Sequence, residues 1–305
     1  MPLKFKILLL GLMNLFLLAG VISLLAYFLV FIPVNQVDEN RTVKGLWRSA
    51  NTLETQLESL GRTTADWSEW DETWKFITDS NLSYQESNLT PEAYSLIEVD
   101  EVIYLNRKRE VVFSAHFDFE NLETLPLSND LGDQLSKERL LGLDIENVSN
   151  GVLFLPEREV MLVANPILNG KGEGPSRGLL IMVRELTDER LNGYARTLNH
   201  KIEFLPKDSG RIPQEASYRI FSQKDHSVIL TESPQLFAGF SPVSDLYGEV
   251  NGLIRIEVER EVKIELWSYI WYFASLALVI NILIFLLNYG LISKKVIRDN
   301  QETQP

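Results

Sequence analysis

The chain has 305 residues, is 45% hydrophobic and 23% charged, and carries a formal net charge of −13. Residues 1–6 hold +2 and residues 291–305 hold +1, leaving −16 on residues 7–290; so acidic a body excludes a nucleic-acid binder, whose partner's phosphates require a basic face. The absence of cysteine excludes disulfides, thiol chemistry and cysteine-ligated zinc, and three scattered histidines (His116, His200, His226) offer no metal cluster.

The first element is an apolar run from Ile7 to Ile32, interrupted only by Asn14 and Ser23. At 1.5 Å per residue it is long enough for a bilayer core of about 30 Å. It exceeds the roughly 7–15 apolar residues of a cleavable leader, and its end, Val30-Phe31-Ile32-Pro33-Val34-Asn35, has no small-residue cleavage pair, so it predicts an uncleaved anchor. Beyond it, Val43, Leu46, Ala50, Leu53, Leu57 and Leu60 recur at alternating spacings of 3 and 4, the pattern of a coiled-coil seam. Either the seam pairs two copies of the chain, or it packs on this domain's own sheet. No proline falls between Pro33 and Pro91, and the helix is expected to run unbroken to about residue 79.

Three of the six tryptophans fall within the next stretch, Ala65-Asp66-Trp67-Ser68-Glu69-Trp70-Asp71-Glu72-Thr73-Trp74-Lys75-Phe76. On one helix Trp67, Trp70, Asp71 and Trp74 share a face, with Asp66 beside Trp70. Carboxylates within an aromatic stripe require donors. Those donors are either loop amides, which makes the residues structural, or a ligand, which makes them a carboxylate–aromatic cradle.

After Thr90-Pro91 the pattern turns to strands. Glu98–Leu105 and Glu110–His116 flank Asn106-Arg107-Lys108-Arg109, and Gly151–Leu155 and Glu159–Pro166 flank Pro156-Glu157-Arg158, predicting two hairpins. Gly178–Val183 is a strand, Thr187–Leu198 a helix capped by Thr187, Tyr218–Ser222 and Ser227–Thr231 are strands, Ser233–Tyr247 a tip, and Gly248–Val258 a last strand. The mixed charges of Arg255–Glu265 read as a solvated stalk. A second uncharged run, Trp267–Ile292, opens with Trp267, Tyr269, Trp271 and Tyr272 and carries Tyr289 near its far end, the aromatics that settle at headgroup level. Its Asn281 and Asn288 either bond between helices or cap locally. Lys4 and Lys6 precede the first run, and Lys294, Lys295 and Arg298 follow the second. The positive-inside rule therefore places both termini in the cytoplasm. The expected organisation is a cytoplasmic N-terminus (1–6), a span (7–32), an extracytoplasmic domain (33–266), a span (267–292) and a cytoplasmic tail (293–305), set in the inner membrane.

The fold class is α+β: a long N-terminal helix, antiparallel strands with few helices, and a last strand leading to the second span, the outline of a PAS-like or Cache-like sensor. The block Asp66-Trp67-x-x-Trp70-Asp71-x-x-Trp74-x-Phe76, followed by Asn81, Tyr84, Ser87-Asn88-Leu89 and Tyr104-Leu105-Asn106, resembles the type-four CHASE domain, a cyclase- and histidine-kinase-associated sensory extracellular domain. The likeness covers about residues 50–90 and the first hairpin, and more loosely the strands to about 200. It implies a membrane-anchored sensor set before a kinase, cyclase or phosphodiesterase module; residues 293–305 are too few for such a module, so the expectation is either a separate cytoplasmic output protein or a chain that is the sensory piece of something longer.

Gly170-Lys171-Gly172-Glu173-Gly174 lacks the Gly-Lys-Ser/Thr of a phosphate loop and reads as a mobile turn. Asp66 and Asp71 have no nucleophile or electrophile beside them, so no catalytic residue, cofactor or metal is expected. The expected role is detection of a small ligand or periplasmic protein, with candidate contacts at Asp66, Trp67, Trp70, Asp71, Trp74, Tyr84, Asn88 and Tyr104. The alternative is a membrane-tethered scaffold; a pocket beside Trp67, Trp70 and Tyr104 favours sensing, and a filled core there favours the scaffold.

Overall fold

The computed structural model describes residues 3–26, 28, 32–137, 139–233, 235–259, 271–287, 289 and 290. They fall into two units, one drawn from residues 1–41, 233–237 and 259–305, the other from residues 42–232 and 238–258. The first unit holds helix α1 (Leu3–Ala26) and a helix over 271–287. These two pack where a methyl added at Gly11 would overlap the Phe285 ring, so the missing side chain permits the approach. Leu9, Met13, Phe16 and Leu17 on one helix and Trp271, Tyr272 and Phe273 on the other are exposed. Among the described residues no helix is long and apolar enough to cross a membrane. The two expected spans lie partly outside the described residues, as do Trp267, Tyr269, Asn288, Lys294, Lys295 and Arg298.

In the second unit, helix α2 (Ile32–Ser68) lays its apolar stripe on a sheet. Leu46 and Leu60 are 3% and 0% exposed within this chain's own core, Leu53 and Leu57 pack against it, and Val43 is exposed. The helix stops at Ser68 rather than near residue 79. Leu168 N–H donates to the Ser68 carbonyl (3.1 Å), the acceptor an unbroken helix would offer to residue 72. Trp70 then takes extended backbone (φ −72°, ψ 137°), and α3 (Asp71–Asp79) begins. Helix α4 (Leu82–Asn88) follows, where Asn81 Oδ1 accepts Tyr84 N–H at 2.8 Å. Thr90-Pro91 opens not a strand but α5 (Pro91–Leu96), with Thr90 as its cap and Pro91 in its first turn, the place where a missing N–H costs nothing.

The six-stranded sheet comprises β1 (Glu101–Asn106), β2 (Val111–Asp118), β3 (Glu123–Leu125), β4 (Ser149–Phe154), β5 (Glu159–Pro166) and β6 (Gly178–Glu185), ordered β3-β2-β1-β6-β5-β4. Its neighbours are antiparallel throughout. Both expected hairpins, β1–β2 and β4–β5, are present. Strand β5 is buried on both faces: Met161 and Val163 meet the α2 side, while Leu162 and Ala164 lie under residues 127–145, which include α6 (Asn129–Ser136). Helix α7 (Asp188–Leu198) is capped as expected, Thr187 Oγ1 accepting Arg190 N–H.

The second sheet holds β7 (Lys201–Pro206), β8 (Val228–Ser233), β9 (Leu236–Ser244) and β10 (Val250–Glu259) in the order β7-β10-β9-β8. It differs from expectation in three places. Strand β7 was not anticipated. Tyr218–Ser222, expected as a strand, is a π-helical turn following α8 (Gln214–Ser217), in which Gln223 N–H donates to the Tyr218 carbonyl (3.2 Å). The expected tip contains β9: Gly239 marks no turn but a close approach, since a Cβ there would lie 2.8 Å from Thr42 Cγ2 and 3.0 Å from Leu46 on α2.

The two sheets share an apolar cluster, in which Ile202, Phe204, Val243, Ile254 and Ile256 pack with Val152, Met161 and Val163, and they also meet along a seam. Leu246 N–H donates to the Val152 carbonyl (3.2 Å), Val152 bridges Asp245 in parallel, and the Phe154 ring occupies the space a side chain at Gly252 would need. Asp245 holds the β9–β10 turn, accepting Tyr247 and Glu249 N–H on Oδ1 and Asn251 Nδ2 on Oδ2.

Two arginines secure the first sheet. Arg158 binds fully buried Glu101 (2.6 Å), Asp130 (2.8 Å) and Glu185 (3.0 Å), tying the β4–β5 turn to α6. Arg184, 4% exposed, has no carboxylate partner among the described residues; it donates to the Glu98 carbonyl (2.8 Å), the Ile97 carbonyl (2.9 Å) and Gln56 Oε1 on α2 (3.3 Å). Burial lowers its pKa. Arg158 holds Asp130 down at about 2 despite partial burial. His116 Nδ1 lies 3.7 Å from Glu101 Oε1, beyond hydrogen-bond length, yet that carboxylate raises the imidazole's pKa.

Two outcomes follow for stability. Gly252→Ala should destabilise the fold by about 1–3 kcal/mol through overlap with Phe154, measured by denaturant unfolding. Because His116 is raised in the fold, its contribution is fully present below its unfolded pKa of about 6.5 and lost as pH rises through the folded value. Asp130 acts oppositely: its contribution is present above about 3.8 and lost as pH falls toward 2. Melting temperature should therefore decline on the alkaline side in the parent chain, and His116→Gln should flatten that limb alone.

Candidate functional site

The eight residues singled out by sequence do not line one cavity. Tyr104 on β1 is fully buried at the centre of an aromatic cluster, with Phe76 edge-on at 5.4 Å and Tyr84 at 6.5 Å between ring centroids. Phe76 and Tyr84 stack at 4.5 Å, as do Tyr94 and Phe117 at 4.2 Å. The phenols form a buried chain: Thr73 Oγ1 to Tyr84 Oη (2.6 Å), then Tyr104 Oη at 3.3 Å from those of both Tyr84 and Tyr94. Burial raises the pKa of all three tyrosines, so they stay neutral and serve as hydrogen-bonding core rather than acid or base.

The helix break at Ser68 decides where the tryptophan block points. Trp67, 8% exposed, stacks on Trp70 (4.8 Å, 21°) and meets Tyr94 at 5.0 Å. Both indoles thus pack on the cluster. Asp71 does not follow them, contrary to the single-helix register: it is exposed, and its Oδ1 accepts Gly170 N–H at 2.9 Å. Trp74 is half-buried under the Arg177 guanidinium, whose carbon lies 3.1 Å from the ring centroid while Nη1 donates to the Trp74 carbonyl and Thr78 Oγ1. Asp66 is exposed and makes no hydrogen bond or ion pair among the described residues. Asn88 donates to the Tyr84 carbonyl (3.2 Å).

The structure thus brings Trp67, Trp70, Tyr84 and Tyr104 into one filled aromatic core and sets Asp71 and Trp74 against the loop 169–177. Asp66 lies apart. Asn169 Oδ1 shapes this loop by accepting Lys171 and Glu173 N–H, and Gly172 and Gly174 take left-handed backbone (φ 67° and 94°), conformations that favour glycine. The sequence missed the partnership of Asp71 with Gly170 and of Trp74 with Arg177; each pair is about a hundred residues apart, beyond any spacing rule. Among the described residues no group of His, Asp or Glu has metal-binding geometry.

The CHASE4 domain profile matches residues 52–205, half of the chain, and includes all eight residues. The chain belongs to the CHASE4 domain family. It is similar to the methanogenesis regulatory histidine kinase FilI of Methanothrix harundinacea (strain 6Ac), at 26% identity over 212 residues, which are 69% of this chain and 23% of that protein. The CHASE4 chain therefore spans less than a quarter of that relative's length. Among solved structures, the extracellular domain of vpHK1S-Z8 gives a TM-score of 0.47 at 12% identity, covering 73% of this chain and 93% of that one. The periplasmic domain of Vibrio cholerae LuxQ gives 0.45 at 10%, covering 72% and 99%. Neither likeness assigns a role to a residue. The CHASE4 match ends inside β7, so most of the second sheet lies beyond it.

The geometry predicts how Asp71 responds to substitution. Asp71→Asn keeps an oxygen acceptor and should leave the melting temperature nearly unchanged. Asp71→Ala should cost about 0.5–1.5 kcal/mol and speed hydrogen exchange at the Gly170 amide, measured by exchange with peptide-level resolution.

Proposed function

We propose that this CHASE4 chain is the extracytoplasmic sensor unit of a membrane-bound signalling system. The observation that carries the reading is the family match over residues 52–205. The membrane anchor is supported by the two uncharged runs at 7–32 and 267–292 with basic residues on their outer flanks, and by the exposed apolar side chains of α1 and of the helix over 271–287. Strand β10 ends at Glu259 and the second run begins at Trp267, so a change in the last strand has a short covalent route to the membrane. In this reading a small ligand or a periplasmic protein shifts β10, and the second run carries the shift inward. The name of the FilI relative assigns it a histidine kinase; the same output class, on a separate polypeptide or a longer form of the chain, is proposed here.

The filled aromatic cluster supports a structural role for Trp67, Trp70, Tyr84 and Tyr104, so the input site is proposed elsewhere in the domain. Pairing of two copies, expected along the seam from Val43 to Leu60, is proposed instead on the face of α2 that leaves Val43 and Trp47 45% and 66% exposed.

Phosphatase fusions test the topology: a fusion near residue 205 should be active and one after residue 305 inactive, and the reverse pattern overturns the reading. For pairing, cysteines at Val43 or Trp47 should crosslink between copies more readily than cysteines at Leu46 or Leu60. Equal crosslinking at all four sites would rule out a specific face.

A further inference from the structure

Apart from the aromatic cluster, the second unit carries a cleft of about 490 Å³ at the junction of its two sheets, a volume within the usual range for small-molecule sites. One wall is the end of β4 and the following turn, with Leu153, Phe154 and Leu155; the other is the end of β7 and the start of β10, with Pro206, Lys207 and Asn251. Arg139 and Gln134 close one side, and Asp208 and Tyr247 lie on the rim. We infer that this cleft binds a small organic acid bearing a hydrogen-bond donor next to its carboxylate, a hydroxy- or amino-carboxylate.

The charges define that class. Among the described residues neither Arg139 nor Lys207 has a carboxylate within ion-pair distance, and Lys207 Nζ has only the Phe221 ring, 5.2 Å away. Two cations without carboxylate partners beside one cleft suit a carboxylate, which the guanidinium engages through paired N–H groups. The Asp245 carboxylate is committed to the β9–β10 turn by its three donors. Asp208 makes no ion pair among the described residues; it favours a ligand donor and opposes a polyanion such as phosphate. Gln134 Oε1 is a buried acceptor with no hydrogen-bond partner among the described residues. A small rotation of this half-buried side chain would turn it into the cleft, where a ligand hydroxyl or amine relieves an unsatisfied group. The apolar side chains of β4 accommodate a short carbon skeleton.

The position adds a consequence. The ligand would touch residues of both sheets beside the Phe154–Gly252 seam, so occupancy would change how firmly β10 is held to the first sheet. That consequence rests on the sensor reading; binding itself does not.

The test uses the full chain in lipid nanodiscs, with thermal shift and calorimetry against L-lactate, L-serine, propionate, ethanolamine and inorganic phosphate. L-lactate or L-serine should raise the melting temperature saturably. Propionate, lacking the donor, and ethanolamine, lacking the carboxylate, should bind at least about tenfold more weakly. Arg139→Gln and Lys207→Gln should each weaken the favoured ligand about tenfold without moving the unliganded melting temperature, and Trp67→Phe should leave its affinity unchanged. The inference is overturned if no probe stabilises the chain, if phosphate binds as well as the carboxylates, or if binding survives the combined Arg139 and Lys207 substitutions. Those results would leave the topology of the fusions, and so the sensor reading, untouched.

Discussion

The larger unit is organised about one apolar cluster that both sheets share, with Phe154 lying over Gly252 at their junction. One layer of the second sheet (Leu205, Ile220, Val228, Phe240 and Leu253) packs by itself, but Ile202, Phe204, Val243, Ile254 and Ile256 pack in one cluster with Val152, Met161 and Val163 of the first. At their junction a ring is set where one strand lacks a side chain, reinforced by a parallel bridge at Val152 and Asp245. Such a junction is held by shape rather than by charge. The Asp245 turn keeps β9 and β10 in position for it. Because β10 pairs with β7 through six registered residue pairs, displacement at the joint moves a whole sheet edge rather than one residue.

The aromatic block shows how a motif can be recognised correctly and its geometry misjudged. Trp67, Trp70, Asp71 and Trp74 have helical spacing, but only Asp71 and Trp74 share a helix; Trp67 belongs to α2 and Trp70 to the extended turn between α2 and α3. The turn between them is set by a hydrogen bond from Leu168, about a hundred residues away, which takes the Ser68 carbonyl. Once the helix ends there, the indoles of Trp67 and Trp70 can stack while Asp71 swings out to the glycine loop. A local pattern cannot contain that information, because the competing acceptor belongs to another part of the chain. The family signature therefore marks a construction that holds α2, α3 and the loop 169–177 together.

Legibility from sequence followed the range of the interactions. The β1–β2 and β4–β5 hairpins and the Thr187 cap were readable because their turn and capping chemistry is local. Strand β9 was hidden because Gly239 and Pro242 look like turn residues, whereas Gly239 is there to let Thr42 and Leu46 approach. Strand β7 alternates Ile202 and Phe204 with Lys201 and Glu203, a period-two pattern that followed a helix too closely to be noticed. The seam from Val43 to Leu60 was open to two readings, and only the tertiary structure shows Leu46 and Leu60 under this chain's own sheet. The Arg158 cluster and the cleft at the sheet junction draw on residues too far apart for any motif to assemble.

Arg184 has a different consequence. Its guanidinium secures α2 to the sheet entirely through neutral oxygens, two backbone carbonyls and an amide. Dissolved ions weaken attraction between opposite charges over a Debye length of about 8 Å at physiological strength; Glu98 and Asp100 act on Arg184 through charge alone, while its direct bonds run to neutral oxygens. Acid likewise protonates none of the oxygens that Arg184 bonds directly. The bond from Arg184 to Gln56 therefore fastens α2 with less dependence on salt and acid than the pairs that Arg158 makes with Glu101, Asp130 and Glu185.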